Sequence, residues 1–322
     1  MAQTRYATDK GLIARMGATM FLLGLVFVAF VVVLVEVLLR FSNVGNSGII
    51  VIAVLLGGGM AFASYYWSDK IALRTAGARL VGPTDSEQAA RLHAVVDRLC
   101  ALANMPKPRV AIAPTYMPNA FATGRSSKVA VLCATTGLLD KLDNEELEGV
   151  LAHEMSHVAH KDVAVMTIAS FLGIISALLV RFAFYSELFG GGGGRGRGRS
   201  ANNNGNALPV ILIVMLVGMV TYAISFLLIR LLSRYRELSA DRSGALLTGR
   251  PSKLASALVK VTGEMARIPV KDLRAAEPLN AFYFAPAFSK SMGRSLSAMF
   301  STHPSLEKRL AELDKISKQL SR

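Results

Sequence analysis

Residues 144–160 read NEELEGVLAHEMSHVAH, and the placement of the rest of the chain turns on them. Asp143 precedes the run and Glu146 stands three residues on, the pattern in which side chain and backbone cap each other at a helix start. The spacing predicts a helix from Asn144 to about His160. On it, His153 and His157 sit at i and i+4, about 40° apart around the axis and one turn apart along it. Two imidazoles so placed reach a single divalent cation at about 2.0–2.1 Å. Glu154, offset by about 100°, falls beside the open coordination position, where a carboxylate can take a proton from water. His160 is roughly 10 Å from His153 along the axis and cannot share that cation, so it reads as a helix-end residue.

A catalytic zinc usually takes three protein ligands and keeps one position open. Downstream, residues 236–241 read RELSAD and put Glu237 and Asp241 on one helix face. Two readings stand at this point. Glu237 is the third ligand and Asp241 holds the far nitrogen of a ligand histidine, or the pair is an ordinary charged face among Arg234, Arg236 and Arg242. If Glu237 joins the histidines, the chain between them crosses any membrane an even number of times.

Hydrophobic residues make up 52% of the 322 and the mean hydropathy is +0.42, a composition that points to the bilayer. Charge-free runs cover Met16–Val35, Ile49–Trp67, Val163–Val180 and Ala207–Ile229. About 20 apolar residues cross a hydrocarbon core, so the first, second and fourth are long enough, and the third is short. The first run is too long for a signal-peptide core and lacks a small-residue cleavage pattern, so it reads as a retained anchor. Charge-free spans argue against a transporter or channel, which would carry ionisable groups at depth.

Basic residues set the orientation. Arg5, Lys10 and Arg15 precede the first run, and only Arg40 follows it before the second. Lys70, Arg74 and Arg79 follow the second; Arg230, Arg234, Arg236 and Arg242 follow the fourth. Both termini and residues 68–162 are therefore expected in the cytoplasm, against the contrary signal of Arg181, Arg195, Arg197 and Arg199. The same flanks account for the net charge of +14, and no nucleic-acid partner is expected. Residues 189–206, nearly all Gly, Arg, Asn and Ser, have nothing to bury and read as a disordered loop. Cys100 and Cys133 are too few for a disulfide framework and fit a reducing compartment.

The expected organisation follows. Residues 1–15 form a cytoplasmic segment and 16–67 two membrane helices (16–39 and 49–67). Residues 68–162 hold the first part of a globular domain, and 163–229 a membrane hairpin (163–180 and 207–229). Residues 230–322 complete the domain. Within it, Ser86 caps a helix with apolar positions at Leu92, Val95, Val96, Leu99 and Leu102. Arg109–Ala113 and Lys128–Ala134 read as strands joined by a turn-rich loop at 118–124. Helices are expected over 230–247, from Pro251 to about Ile268, and after Pro304, with 269–300 irregular. The fold class is mainly α with a small β-sheet.

HEMSH at 153–157, RELSAD at 236–241, PNAFATGR at 118–125 and THPSLEKRL at 302–310, set among membrane helices, resemble the HtpX family of membrane zinc metalloproteases, relatives of the CAAX prenyl endopeptidases. The resemblance implies a gluzincin-like zinc protease domain with about four transmembrane helices. It implies one Zn²⁺ per chain held by His153, His157 and Glu237, with Glu154 as general base and Asp241 behind a ligand. His303 and Arg309 would approach the site and stabilise an oxyanion, although His303 also reads as a helix-start residue before Pro304. Lys128, Val129, Ala130, Val131 and Leu132 would be the strand that pairs with substrate. The implied activity is endopeptidase cleavage of misfolded or damaged membrane proteins at the cytoplasmic side of the plasma (inner) membrane. A CAAX-type endopeptidase and a non-enzymatic scaffold are the alternatives; the sequence leaves the oligomeric state open.

Overall fold

A computed structural model of the chain describes residues 10–41, 59, 62–63, 65–162, 165–166, 176–177, 180–181, 207–265, 267 and 303–321. Helices dominate: α1 (Lys10–Phe41), α2 (Ser68–Thr75), α3 (Glu87–Ala103), α4 (Thr136–Lys141), α5 (Asn144–Ala159), α6 (Ala207–Thr248), α7 (Pro251–Met265) and α8 (Leu306–Leu320). One four-stranded sheet accompanies them: β1 (Arg79–Leu80), β2 (Arg109–Ala113), β3 (Ala120–Thr123) and β4 (Val131–Thr135), in the order β1-β2-β4-β3. β2 and β4 run parallel; β1 and β3 are antiparallel to their neighbours. The chain divides into two compact units, residues 1–13, 64–165 and 232–322 in one, and residues 14–63 and 166–231 in the other.

In the first unit the expected caps form. Ser86 accepts from Ala89 N to start α3, and Asp143 and Glu146 exchange bonds at the start of α5. β4, which lies between β2 and β3, is buried on both faces. Leu132 and Ala134 face a core with Leu92, Val96 and Leu99 of α3, Leu147, Leu151 and Met155 of α5, and Leu254 and Leu258 of α7. Val131 and Cys133 face the other way, with Ala111, Phe121 and Ala72. Each fully buried Leu or Val contributes about 1.5–3 kcal/mol, which fixes the register because a one-residue slip would reverse both faces.

The sheet corrects two expectations. Residues 120–123, read as loop, are strand β3: four residues of small Ala-rich sequence that hold strand form by pairing with β4. The segment Lys128 to Leu132, expected to pair with substrate, has no open edge. Lys128 and Val129 lie in a turn and Ala130 precedes β4. Val131 and Leu132 pair with Arg109 and Val110 on one side and with Thr123 and Ala122 on the other. Among the described residues β1 and β3 are the strands paired on one side alone, and β3 is the one that meets Glu154.

In the second unit most of the described residues come from α1 and α6. Among the described residues, two helices are long and apolar enough to cross a membrane, Ile13–Val33 and Leu212–Thr248, each with mean hydropathy 2.6. Phe21 and Leu216 are 67% and 58% exposed, apolar surface that a water-facing helix would not carry in such density. α6 joins into one helix what the sequence divided into a span (207–229) and a following helix. Most of the expected span 49–67, most of 163–180 and the loop 189–206 lie outside the described residues.

Candidate metal centre

The first unit brings α5 and α6 together at His153. On α6, Glu237, Asp241 and Gly244 share one face at i, i+4 and i+7. A Cβ on Gly244 would stand 2.9 Å from the His153 backbone nitrogen and 3.2 Å from the Ala152 carbonyl carbon, so only glycine lets the helices approach this closely. The approach carries Glu237 to the two imidazoles. His153 Nε2 is 3.3 Å from His157 Nε2 and 3.6 Å from Glu237 Oε2; His157 Nε2 is 3.5 Å from Glu237 Oε1. One donor atom from each of the three lies within 4.8 Å of the others.

These spacings fit a metal. Tetrahedral ligands at about 2.0–2.1 Å from an ion stand roughly 3.4 Å apart, close to the separations seen. Two imidazoles and a carboxylate are also the donor types zinc accepts. The far nitrogens are held from behind, which turns both Nε2 atoms inward. His153 Nδ1 meets Asp241 Oδ1 at 2.9 Å, and His157 Nδ1 meets Asp162 Oδ2 at 2.6 Å. Burial opposes a charge on His153, but Asp241 and Glu237 more than offset it and its pKa rises to about 9.

Each supporting carboxylate has its own arginine. Arg309 Nε and Nη2 donate to the two oxygens of Asp241 at 2.8 and 2.6 Å, all fully buried. Arg236 Nε lies 2.9 Å from Asp162 Oδ2. Burial works to raise the Asp162 pKa, and Arg236 and His157 together hold it below the ordinary carboxylate value. Asp162 reaches back to His157 because Lys161, just past the helix end, adopts φ +57°, the left-handed turn that reverses the chain after a helix.

Glu154 lies beside the cluster and is tied to the sheet, its Oε2 accepting from Ala122 N at 3.1 Å. Burial pushes its carboxyl pKa up against the pull of His153 and His157. His303 Nδ1 lies 2.9 Å from Glu237 Oε2, so the residue before Pro304 does meet the cluster. Arg309, expected near an oxyanion, pairs its guanidinium with Asp241, the carboxylate that meets His153 Nδ1. His160 is the C-cap of α5.

The sequence reading missed Asp162, Arg236, Gly244 and the β3 edge. Asp162 stands five residues beyond His157, and only the left-handed turn at Lys161 brings it back to that imidazole.

Residues 86–317 match peptidase family M48. The chain is 55% identical to Protease HtpX homolog 1 of Streptomyces coelicolor, over 99% of this chain and 97% of that one. It is 48% identical to Protease HtpX homolog 2 of Methanosarcina mazei, over 98% and 99%. The crystal structure of S. mikatae Ste24p superposes with a TM-score of 0.48 at 17% identity, over 97% of this chain and 68% of that one, too loose a likeness to carry weight.

Proposed function

The chain belongs to peptidase family M48 and is a metalloprotease, and from that premise we propose a membrane-bound zinc endopeptidase that cuts misfolded or damaged membrane proteins on the cytoplasmic side of the plasma (inner) membrane. The observation that carries the reading is the convergence of His153, His157 and Glu237 with Glu154 beside them. The two apolar helices support residence in a bilayer, and the basic flanks support the cytoplasmic side.

His153, His157 and Glu237 are the zinc ligands in this reading, one ion per chain. When bound, zinc supplies Lewis acidity and lowers the pKa of water. Asp241 and Asp162 keep the imidazoles aimed inward and in the tautomer that binds through Nε2. Glu154 takes the proton from the attacking water and returns it to the leaving amine; its raised pKa suits both halves of that transfer. His303, bonded to Glu237, is the imidazole we assign to stabilising the oxyanion.

Substrate adds to β3 in place of the strand first expected. Asn119 O accepts from Thr135 N, so alternate residues of β3 face β4 and the backbone groups of Ala120 and Ala122 face the open edge. An extended peptide laid there gains main-chain bonds that ask little of its sequence, which suits broad specificity. Glu154, bonded to the Ala122 N–H, lies at that edge.

Glu154→Gln tests the reading, because it removes the base and keeps the shape. Cleavage of an unfolded protein substrate in detergent should fall about 10²–10⁴-fold with zinc content unchanged. Undiminished cleavage would reject the assignment and favour a scaffold.

A further inference from the structure

Tyr65, Tyr66 and Trp67 end the apolar run Ile49–Trp67. Tyr66 and Trp67 are 41% and 52% exposed, and Tyr65 meets Tyr66 edge-on at a ring separation of 5.3 Å. α2 starts at the next residue and presents Ile71, 47% exposed, between Lys70 and Arg74. Aromatic rings with polar edges, left outside the core beside cationic side chains at the end of an apolar run, have the chemistry of a membrane–water interface.

Two arginines join this segment to the sheet. Arg125 Nη1 donates to the Tyr66 carbonyl at 3.2 Å, and its guanidinium carbon lies 5.0 Å from the Tyr66 ring centroid. Arg109 Nη2 donates to Asp69 at 2.7 Å and to the Val129 carbonyl at 3.0 Å. Both clips land on the turn that ends β3. Gly124 opens that turn at φ +116°, where a Cβ would stand 2.8 Å from the Val129 oxygen.

We propose that Tyr66, Trp67, Lys70 and Arg74 seat in the headgroup layer of an anionic bilayer, and that Arg125 and Arg109 hold the end of β3 at that level. The contact with lipid stands on the segment's own chemistry; its consequence for cleavage rests on the peptidase reading above. Ala122, whose N–H meets Glu154, is three residues from Arg125, about 10 Å at strand rise. An extended chain leaving the bilayer covers that distance in about three residues. The bonds cut first are then those within a few residues of a membrane boundary, so the substrate class is juxtamembrane peptide.

Trp67 is the sole tryptophan of the chain, so its emission reports this segment alone. The wild-type protein goes into vesicles of phosphatidylcholine and phosphatidylglycerol carrying lipid spin-labelled near the headgroup or at mid-chain, or with iodide in the water. The headgroup-level label should quench at least twofold more strongly than the mid-chain label or iodide. Stronger quenching by iodide, or none by either lipid, overturns the seat and leaves solvent or a protein contact. Arg125→Gln then tests the clip with one peptide, supplied free or tethered to the bilayer by a lipid anchor. Cleavage of the tethered form should drop severalfold while cleavage of the free form is unchanged; an equal effect on both, or none, overturns the clip. If wild type cuts neither form while headgroup-level quenching persists, the peptidase reading falls and the interfacial seat stands.

Discussion

Asp162 does for His157 what Asp241 does for His153, and each carboxylate answers to an arginine. Supporting carboxylates of this kind are worth about 10–100-fold in metal affinity. Asp162→Asn should therefore weaken zinc binding by about that factor in competition with a chromophoric chelator; unchanged affinity would show that His157 needs no help. Arg309→Ala should cost more stability than affinity. It leaves Asp241 charged and buried, a loss of about 3–5 kcal/mol that denaturant unfolding in detergent would detect. Helix periodicity made His153, Glu154 and His157 legible, and i, i+4 spacing offered Glu237 and Asp241 without deciding between ligand and charged face. Asp162 was hidden because its return depends on a left-handed Lys161 that no side-chain pattern announces. The pairing of Arg309 with Asp241 was not legible either, because it depends on where the last helix packs in the folded chain.

At the level of elements, the site is a crossing of α5 and α6 fixed by the missing side chain of Gly244. Gly→Ala inside a helix ordinarily stabilises by about 1 kcal/mol. Here Gly244→Ala should destabilise instead, by about 1–3 kcal/mol, because its Cβ meets His153 backbone that cannot swing away. A melting temperature that rises in the variant would mean that the helices cross less tightly than the structure has them. α3 and α5 were readable from caps and apolar spacing, and β2 from its apolar run. β3 was not, since four residues with Phe and Thr set between alanines give no clear local signal, and the segment becomes a strand through long-range pairing with β4. The same gap put the substrate strand on residues 128–132, a segment without an open edge.

For the whole molecule, one continuous helix carries both the apolar run ending at Ile229 and Glu237, about 12 Å further on. The metal centre is then completed only when that helix lies beside the HEMSH helix, which follows from the topology and not from any local motif. The sequence made the apolar runs plain through their length and lack of charge, whereas the pairing of His153 and His157 with a residue some eighty positions away needed the folded chain. The direct measurement is zinc content of detergent-purified protein, wild type against His153→Ala and Glu237→Ala. About one zinc per chain in wild type, lost in both variants, is the predicted result. Full zinc retention in Glu237→Ala would contradict it, since the third ligand would then lie elsewhere.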